Sequence, residues 1–198
     1  MEFSDLVKAN RSYRKFDESF LVHREELVQL VEISRFTPSS KNRQPLKYLI
    51  VTHPDEVAFV FKHLKWAWFL RQWEGPAPGE RPPSYIIMLL DKSLNDRADF
   101  DAGISAQTIL LGATAKGLGG CIIRTVNRYE LGKYFNLGEQ FEILLVMAIG
   151  KPSQEIVIEN DDLMGNMEYW SDEQGRHHVP KRKLDDLLFN RPGMYDQD

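Results

Sequence analysis

The sequence holds one cysteine, Cys121, so no internal disulfide can form. It has no apolar run near the roughly 20 residues that cross a bilayer, so no transmembrane helix is expected. It has no excess of basic charge: 25 Lys and Arg stand against 29 Asp and Glu, a net −4, which gives no basis for a nucleic-acid or polyanion binder. Neither GxGxxG nor GxxxxGK[ST] occurs, so the two common glycine-rich nucleotide loops are absent. His177-His178 has no HExxH context and no cysteine partners, so no metal site is expected. Residues Met1 to Lys8 lack the basic-then-apolar-then-small pattern of a secretory leader, and with the lone cysteine this predicts a cytoplasmic location. There is no internal repeat and no low-complexity segment.

What is present suits one sizeable core. The chain has 198 residues, 42% of them hydrophobic, and reads as a single domain over 1–198. Its centre is Ala98 to Ile123. No charged residue lies between Asp101 and Lys116, and the span mixes Ile104, Ile109, Leu110 and Leu111 with Ala102, Gly103, Ala106, Gly112, Ala113 and Ala115. A helix apolar nearly all round is expected to be buried on most faces. Gly117 ends it, and Gly119-Gly120 lead into a strand at Cys121-Ile122-Ile123. A glycine pair there lets a flat ligand approach the main chain, and equally fits a tight turn in the core.

Periodicity predicts helices at Phe3–Val7, Arg24–Phe36, from Pro54 and from Asn127, the last with Glu130 in a capping box. Continuous apolar runs predict strands at Tyr48–Val51, Tyr85–Leu90 and Phe141–Ile149. Three of the four tryptophans fall in Trp66–Trp73, read as a helix that is core, a lid over a pocket or a partner surface. The following Gly75–Pro83, with four prolines and two glycines, is a loop. A last short helix is expected over Leu184–Phe189, and the tail from Arg191 onward is expected to have no order of its own.

Three separated clusters carry donors. Arg11-Ser12-Tyr13-Arg14 sets two guanidinia around a hydroxyl and an aromatic ring. Ser39-Ser40-Lys41-Asn42-Arg43-Gln44 holds two hydroxyls, two amides and two cations. Lys181-Arg182-Lys183 is basic. Each also reads as a plain solvated turn, but together with the Gly-Gly turn they describe a site for a flat, phosphate-bearing cofactor, the cations on phosphate and the amides on ring edges. Cys121 falls in an expected buried strand with no acid–base partner nearby in sequence, so it is read as a structural thiol and not as a nucleophile.

These motifs resemble the FMN-dependent nitroreductase family. Arg11-Ser12-Tyr13-Arg14 is similar to its N-terminal Arg-Ser-x-Arg signature. Pro38-Ser39-Ser40-Lys41-Asn42-Arg43-Gln44-Pro45 matches its Pro-Ser-Ser-x-Asn-x-Gln-Pro loop. Asp101-Ala102-Gly103 with Gln107, running to Gly117-Leu118-Gly119-Gly120-Cys121, matches its central helix and turn. The resemblance implies an α+β fold, with a mixed, mainly antiparallel sheet flanked by helices, in an intertwined homodimer. It implies two interfacial FMN sites: Arg11, Ser12 and Arg14 with Lys181 or Arg182 from one subunit, and Ser39, Ser40 and Asn42, with Gln44 nearby, from the other. Gly119 and Gly120 would lie beside the ring. The implied reaction is ping-pong hydride transfer from NAD(P)H to a small acceptor such as a nitroaromatic or quinone. A flavin carrier or sensor without turnover, and an offshoot acting on flavin itself or on a substituted aromatic, are the alternatives. Two departures stand out: Asn10 replaces a common second arginine, and Arg124 a common glycine.

Overall fold

A computed structural model describes residues 1–160 and 167–189. They fall into two units, 1–153 and 154–198 in extent. In the first, β1 (Leu46–Val51), β2 (Ser84–Asp91), β3 (Gly119–Ile123) and β4 (Phe141–Gly150) form an antiparallel sheet in the order β1-β2-β4-β3. Around it are helices α1 (Phe3–Ala9), α2 (Arg24–Ser34), α3 (Pro54–Lys62), α4 (Asp99–Ala115) and α5 (Arg128–Tyr134). This is the mainly antiparallel α+β arrangement that the family resemblance implies.

The pleat of β2 explains the layering. Successive side chains point to opposite faces. Tyr85, Ile87 and Leu89 enter a core with Val60 of α3 and Leu131 of α5. Ile86 and Met88 enter a second core with Leu27 and Leu30 of α2 and Ala106, Ile109 and Leu110 of α4. Every residue of β2 is buried, which is why this strand reads as an unbroken apolar run. Each such Ile or Met side chain contributes about 1.5–3 kcal/mol by leaving water. A bulge preserves the pattern in β4: Met88 pairs with Leu145 but Leu89 with Ile143, so Leu144 is extra. Ile143 thereby joins Val146 and Ala148 on one face, while Leu145, Met147 and Ile149 take the other.

Helix α4 is corrected in one respect. Asp101, Ala102, Ser105, Ala106, Ile109, Leu110 and Ala113 form a single buried face. A Cβ on Gly112 would meet Leu30 and Ile33 at 3.1 and 3.2 Å, so the small residue there admits α2. The opposite face is open within the protomer, with Phe100 at 85% and Ile104 at 41% exposure. An all-apolar sequence says that both faces want cover, not that one chain covers both. Asn127 caps α5 as expected, accepting from the Glu130 N–H at 3.2 Å.

Two expected helices do not form. Trp66–Trp73 is a series of turns, Leu70 N–H donating to the Ala67 carbonyl and Trp73 N–H to that of Leu70, with Ala67 at φ 37°. Leu184–Phe189 makes a single turn, closed by Leu188 N–H on the Leu184 carbonyl. All six of its residues are exposed, and so short a helix does not persist without packing. In the second unit, β5 (Ile156–Asn160), β6 (Trp170–Ser171) and β7 (His177–Lys181) form a sheet in the order β5-β7-β6, with β5 and β7 parallel. The tail from Arg191 lies outside the described residues.

Candidate functional site

The first donor cluster is built on the edge of β3. Ser12 forms a parallel bridge with Gly120, and Tyr13 N–H donates to the Gly120 carbonyl at 3.0 Å. The segment after α1 thus continues the sheet beyond its last strand. Gly119 and Gly120 are needed for this. A Cβ on Gly119 would lie 2.5 Å from the Tyr13 ring and 2.6 Å from Pro152; one on Gly120 would lie 2.5 Å from the Ala148 carbonyl oxygen. Tight internal packing therefore accounts for the glycine pair, and both residues are buried. Arg11 folds back on α1, its Nε donating to the Asn10 carbonyl (2.6 Å) and its Nη2 to that of Val7 (2.8 Å). A guanidinium at the helix C-terminus satisfies orphan carbonyls there. Arg14 Nη1 donates to the Ser12 carbonyl at 3.3 Å. Cys121, beneath this segment, is buried, and burial pushes its thiol up against the lowering influence of Arg14, so it is no nucleophile.

The second cluster lies between α2 and β1. Ser40–Asn42 is a single 3-10 turn, and Lys41, Asn42 and Gln44 hold φ values of 51°, 53° and 49°. Three non-glycine residues in the left-handed region within four positions store backbone strain, which gathers at ligand clamps. Ser39 Oγ pins the turn by accepting from the Gln44 N–H at 2.9 Å, and Gln44 Nε2 donates to Asn42 Oδ1 at 3.0 Å. Ser39 and Gln44 border a cavity of about 230 Å³ with Thr37, Tyr48 and Asp101. The Tyr48 hydroxyl is 2.7 Å from Ser105 Oγ. Asp101 is 6% exposed, and its Oδ1 is buried with no hydrogen-bond partner among the described residues. Tyr48 and Asp101 escaped the sequence reading as site residues. The one signal for Asp101 was a carboxylate opening a run that stays uncharged to Lys116.

The two clusters do not meet within one chain. They sit on opposite edges of the sheet, the first on β3 and the second leading into β1. They also sit at opposite ends: Leu46 aligns through Leu90 with Glu142, whereas Gly119 aligns with Gly150. Three inter-strand steps and eight residues of β4 put these corners roughly 14 Å apart across the sheet and roughly 25 Å along it. One small cofactor cannot touch both. Lys181 and Arg182 belong to the second unit, Lys181 at the end of β7 and both exposed.

Of the tryptophans, Trp66 is in the core and Trp73 packs edge-on to it at 6.5 Å, while Trp68 is 80% exposed. Among the described residues, no group of three or more His, Cys, Asp and Glu could hold a metal ion, and no helix is long and apolar enough to cross a membrane.

An antiparallel sheet between two helical layers, with a strained polar loop at one corner and a basic segment at the opposite corner, defines the class. The family model "Nitroreductase family" matches residues 7–151, and the chain belongs to that family. Among curated proteins it is 23% identical over 186 residues to MhqN of Bacillus subtilis (strain 168), provisionally designated an NAD(P)H nitroreductase, covering 78% of this chain and 90% of that one. A nitroreductase family protein from Streptococcus pneumoniae TIGR4 has the same fold at TM-score 0.68 and 17% identity, over 96% of this chain and 100% of that chain. A structure from Exiguobacterium sibiricum 255-15, solved in complex with FMN, matches at TM-score 0.65 and 19% identity, over 78% and 90%.

Proposed function

We propose that the protein is an FMN-dependent oxidoreductase working as a homodimer, with each flavin site assembled from two chains. The carrying observation is the placement of the two donor clusters at diagonal corners of one sheet. A twofold axis that superposes one corner on the partner's other corner completes two equivalent sites. The open face of α4, with Phe100 and Ile104, and the exposed Phe3 of α1 supply an apolar surface for the second copy.

The residues present fit the group. Asp101 Oδ1 is an unpartnered acceptor beside a cavity that Ser39 and Gln44 border, suited to a ligand carrying hydroxyl or imide N–H donors. Arg11 and Arg14 match a phosphate, and Ser12, Ser40 and Asn42 add polar contacts; in the second unit Lys181 and Arg182 are cations of the same kind. When bound, FMN would supply two-electron hydride chemistry between NAD(P)H and a small acceptor. Arg14, beside β3, would supply positive charge that stabilises negative charge on a bound ring. No side chain needs to move a proton. Residues 1–198 work as one nitroreductase-like domain in this reading.

The test is NAD(P)H oxidation by purified protein supplied with FMN and a panel of nitroaromatics and quinones. Acceptor-dependent turnover with parallel double-reciprocal plots is expected. Flavin binding without acceptor-dependent NAD(P)H consumption would leave a carrier instead.

A further inference from the structure

The second unit contains an arrangement that the proposed chemistry does not use. His178 lies in β7, the middle strand of β5-β7-β6, and its side chain is 8% exposed. Nδ1 is 2.6 Å from Glu159 Oε1 on β5, and Nε2 is 3.1 Å from Asp172 Oδ2, just after β6. The Trp170 indole of β6 lies parallel to the imidazole, centroids 4.1 Å apart at 9°. A neutral imidazole has one N–H, so with carboxylates on both nitrogens one lone pair would face an anion. Only the imidazolium donates to both.

We propose that His178 is a proton-operated clasp, joining β5 and the β6 turn to β7 while protonated and loosening them when it loses its proton. The surrounding charges favour the closed state. From β5 comes Glu159 and from just before it Glu155, and from the turn Asp172, Glu173 and Arg176; Ser171 of β6 and His177 and Lys181 of β7 complete the set. Arg176 is the opposing cation, but its Nε is itself bound to Asp172 Oδ2 at 2.7 Å. The hydrogen bond to Glu159 raises His178 above its ordinary 6.5, against burial and with help from Asp172. Burial alone would raise Asp172, but donors from His178 and Arg176 hold it down to about 2, so it is anionic throughout. With the folded value raised, the stability that the clasp contributes is fully present below the ordinary 6.5 and is lost as pH climbs through the folded value.

The test is tryptophan emission of the full chain from about pH 5.5 to 9.5, with Trp170→Phe subtracted to isolate Trp170, which a stacked imidazolium quenches. The expected result is a rise in Trp170 emission with its midpoint above 6.5. His178→Gln should abolish the rise, and Glu159→Gln should lower the midpoint by about one pH unit. No Trp170 transition, or an unchanged midpoint in Glu159→Gln, overturns the clasp, and the second variant decides the matter even where His178→Gln fails to fold.

Discussion

Gly119 and Gly120 adjoin each other in β3, yet an added methyl group should have different consequences at each. At Gly120 the new Cβ would lie 2.5 Å from the Ala148 carbonyl oxygen, 2.6 Å from Leu110 Cδ2 and 2.9 Å from Ile149 Cδ1. The oxygen belongs to the sheet ladder between β3 and β4 and cannot retreat without breaking it. Overpacking of this kind costs about 3 kcal/mol, the upper end of the usual range. For a chain of this length that lowers the melting temperature by about 6–12 °C. At Gly119 the obstacles are the Tyr13 ring and Pro152 Cγ, at 2.5 and 2.6 Å. Tyr13, whose hydroxyl donates to the Ala9 carbonyl at 3.1 Å, and Pro152 are both half-buried, so the two rings can shift toward solvent at about 1 kcal/mol, or about 2–4 °C. The movement of Tyr13 drags Ser12 and Arg14. Gly119→Ala should therefore lose about tenfold in FMN affinity while keeping most of its stability. Calorimetry on the flavin-free protein and flavin titration of both variants check the pair. Melting points within a degree of wild type for both would refute the packing argument, and intact FMN affinity in Gly119→Ala would detach the Arg11–Arg14 segment from the site.

Ile104→Asp should leave an isolated protomer within about 0.5 kcal/mol of wild type, since the side chain is exposed there, but should abolish dimers in sedimentation; an unaffected dimer would move the interface elsewhere. Trp66→Ala should cost about 3–5 kcal/mol in a urea titration, as a core tryptophan does, whereas Trp68→Ala should cost under about 0.5. Equal costs would contradict the separation of core from surface in that segment.

The four strands of the first sheet were legible because burial leaves an apolar run that few other structures tolerate, as in β2, whereas β5, β6 and β7 carry no such run. The Trp66–Trp73 turns were not legible, because apolar composition does not report that Ala67 takes φ 37°. Leu184–Phe189 has a helical composition but no packing partner, and composition cannot count partners. The donor clusters were readable as chemistry; their diagonal separation follows from the strand order β1-β2-β4-β3, which local patterning does not encode. The same limit hid the surroundings of His178, since Glu159 and Asp172 reach it only through a parallel pairing and the turn after β6.

That diagonal separation permits a test of the shared site that needs no structure of the complex. Arg14→Ala removes a charge-assisted donor, a loss of about 1.5–3 kcal/mol in flavin binding. Asn42→Ala removes an amide and also places alanine at φ 53°, which asparagine tolerates better, so the loop loses its shape as well as a contact. Each homodimer carries two singly damaged sites, and each should bind FMN at least about tenfold more weakly than wild type. A mixed dimer of one Arg14→Ala chain and one Asn42→Ala chain differs. If each site takes Arg14 from one chain and Asn42 from its partner, one site combines both lesions and the other combines none. Differently tagged chains, co-expressed and purified through both tags, should bind one FMN per dimer at wild-type affinity, with half of the wild-type turnover per dimer. If both residues served a site within a single chain, every site in the mixed dimer would carry one lesion, and no flavin would bind at wild-type affinity. A titration with no tight phase would therefore refute the two-chain site.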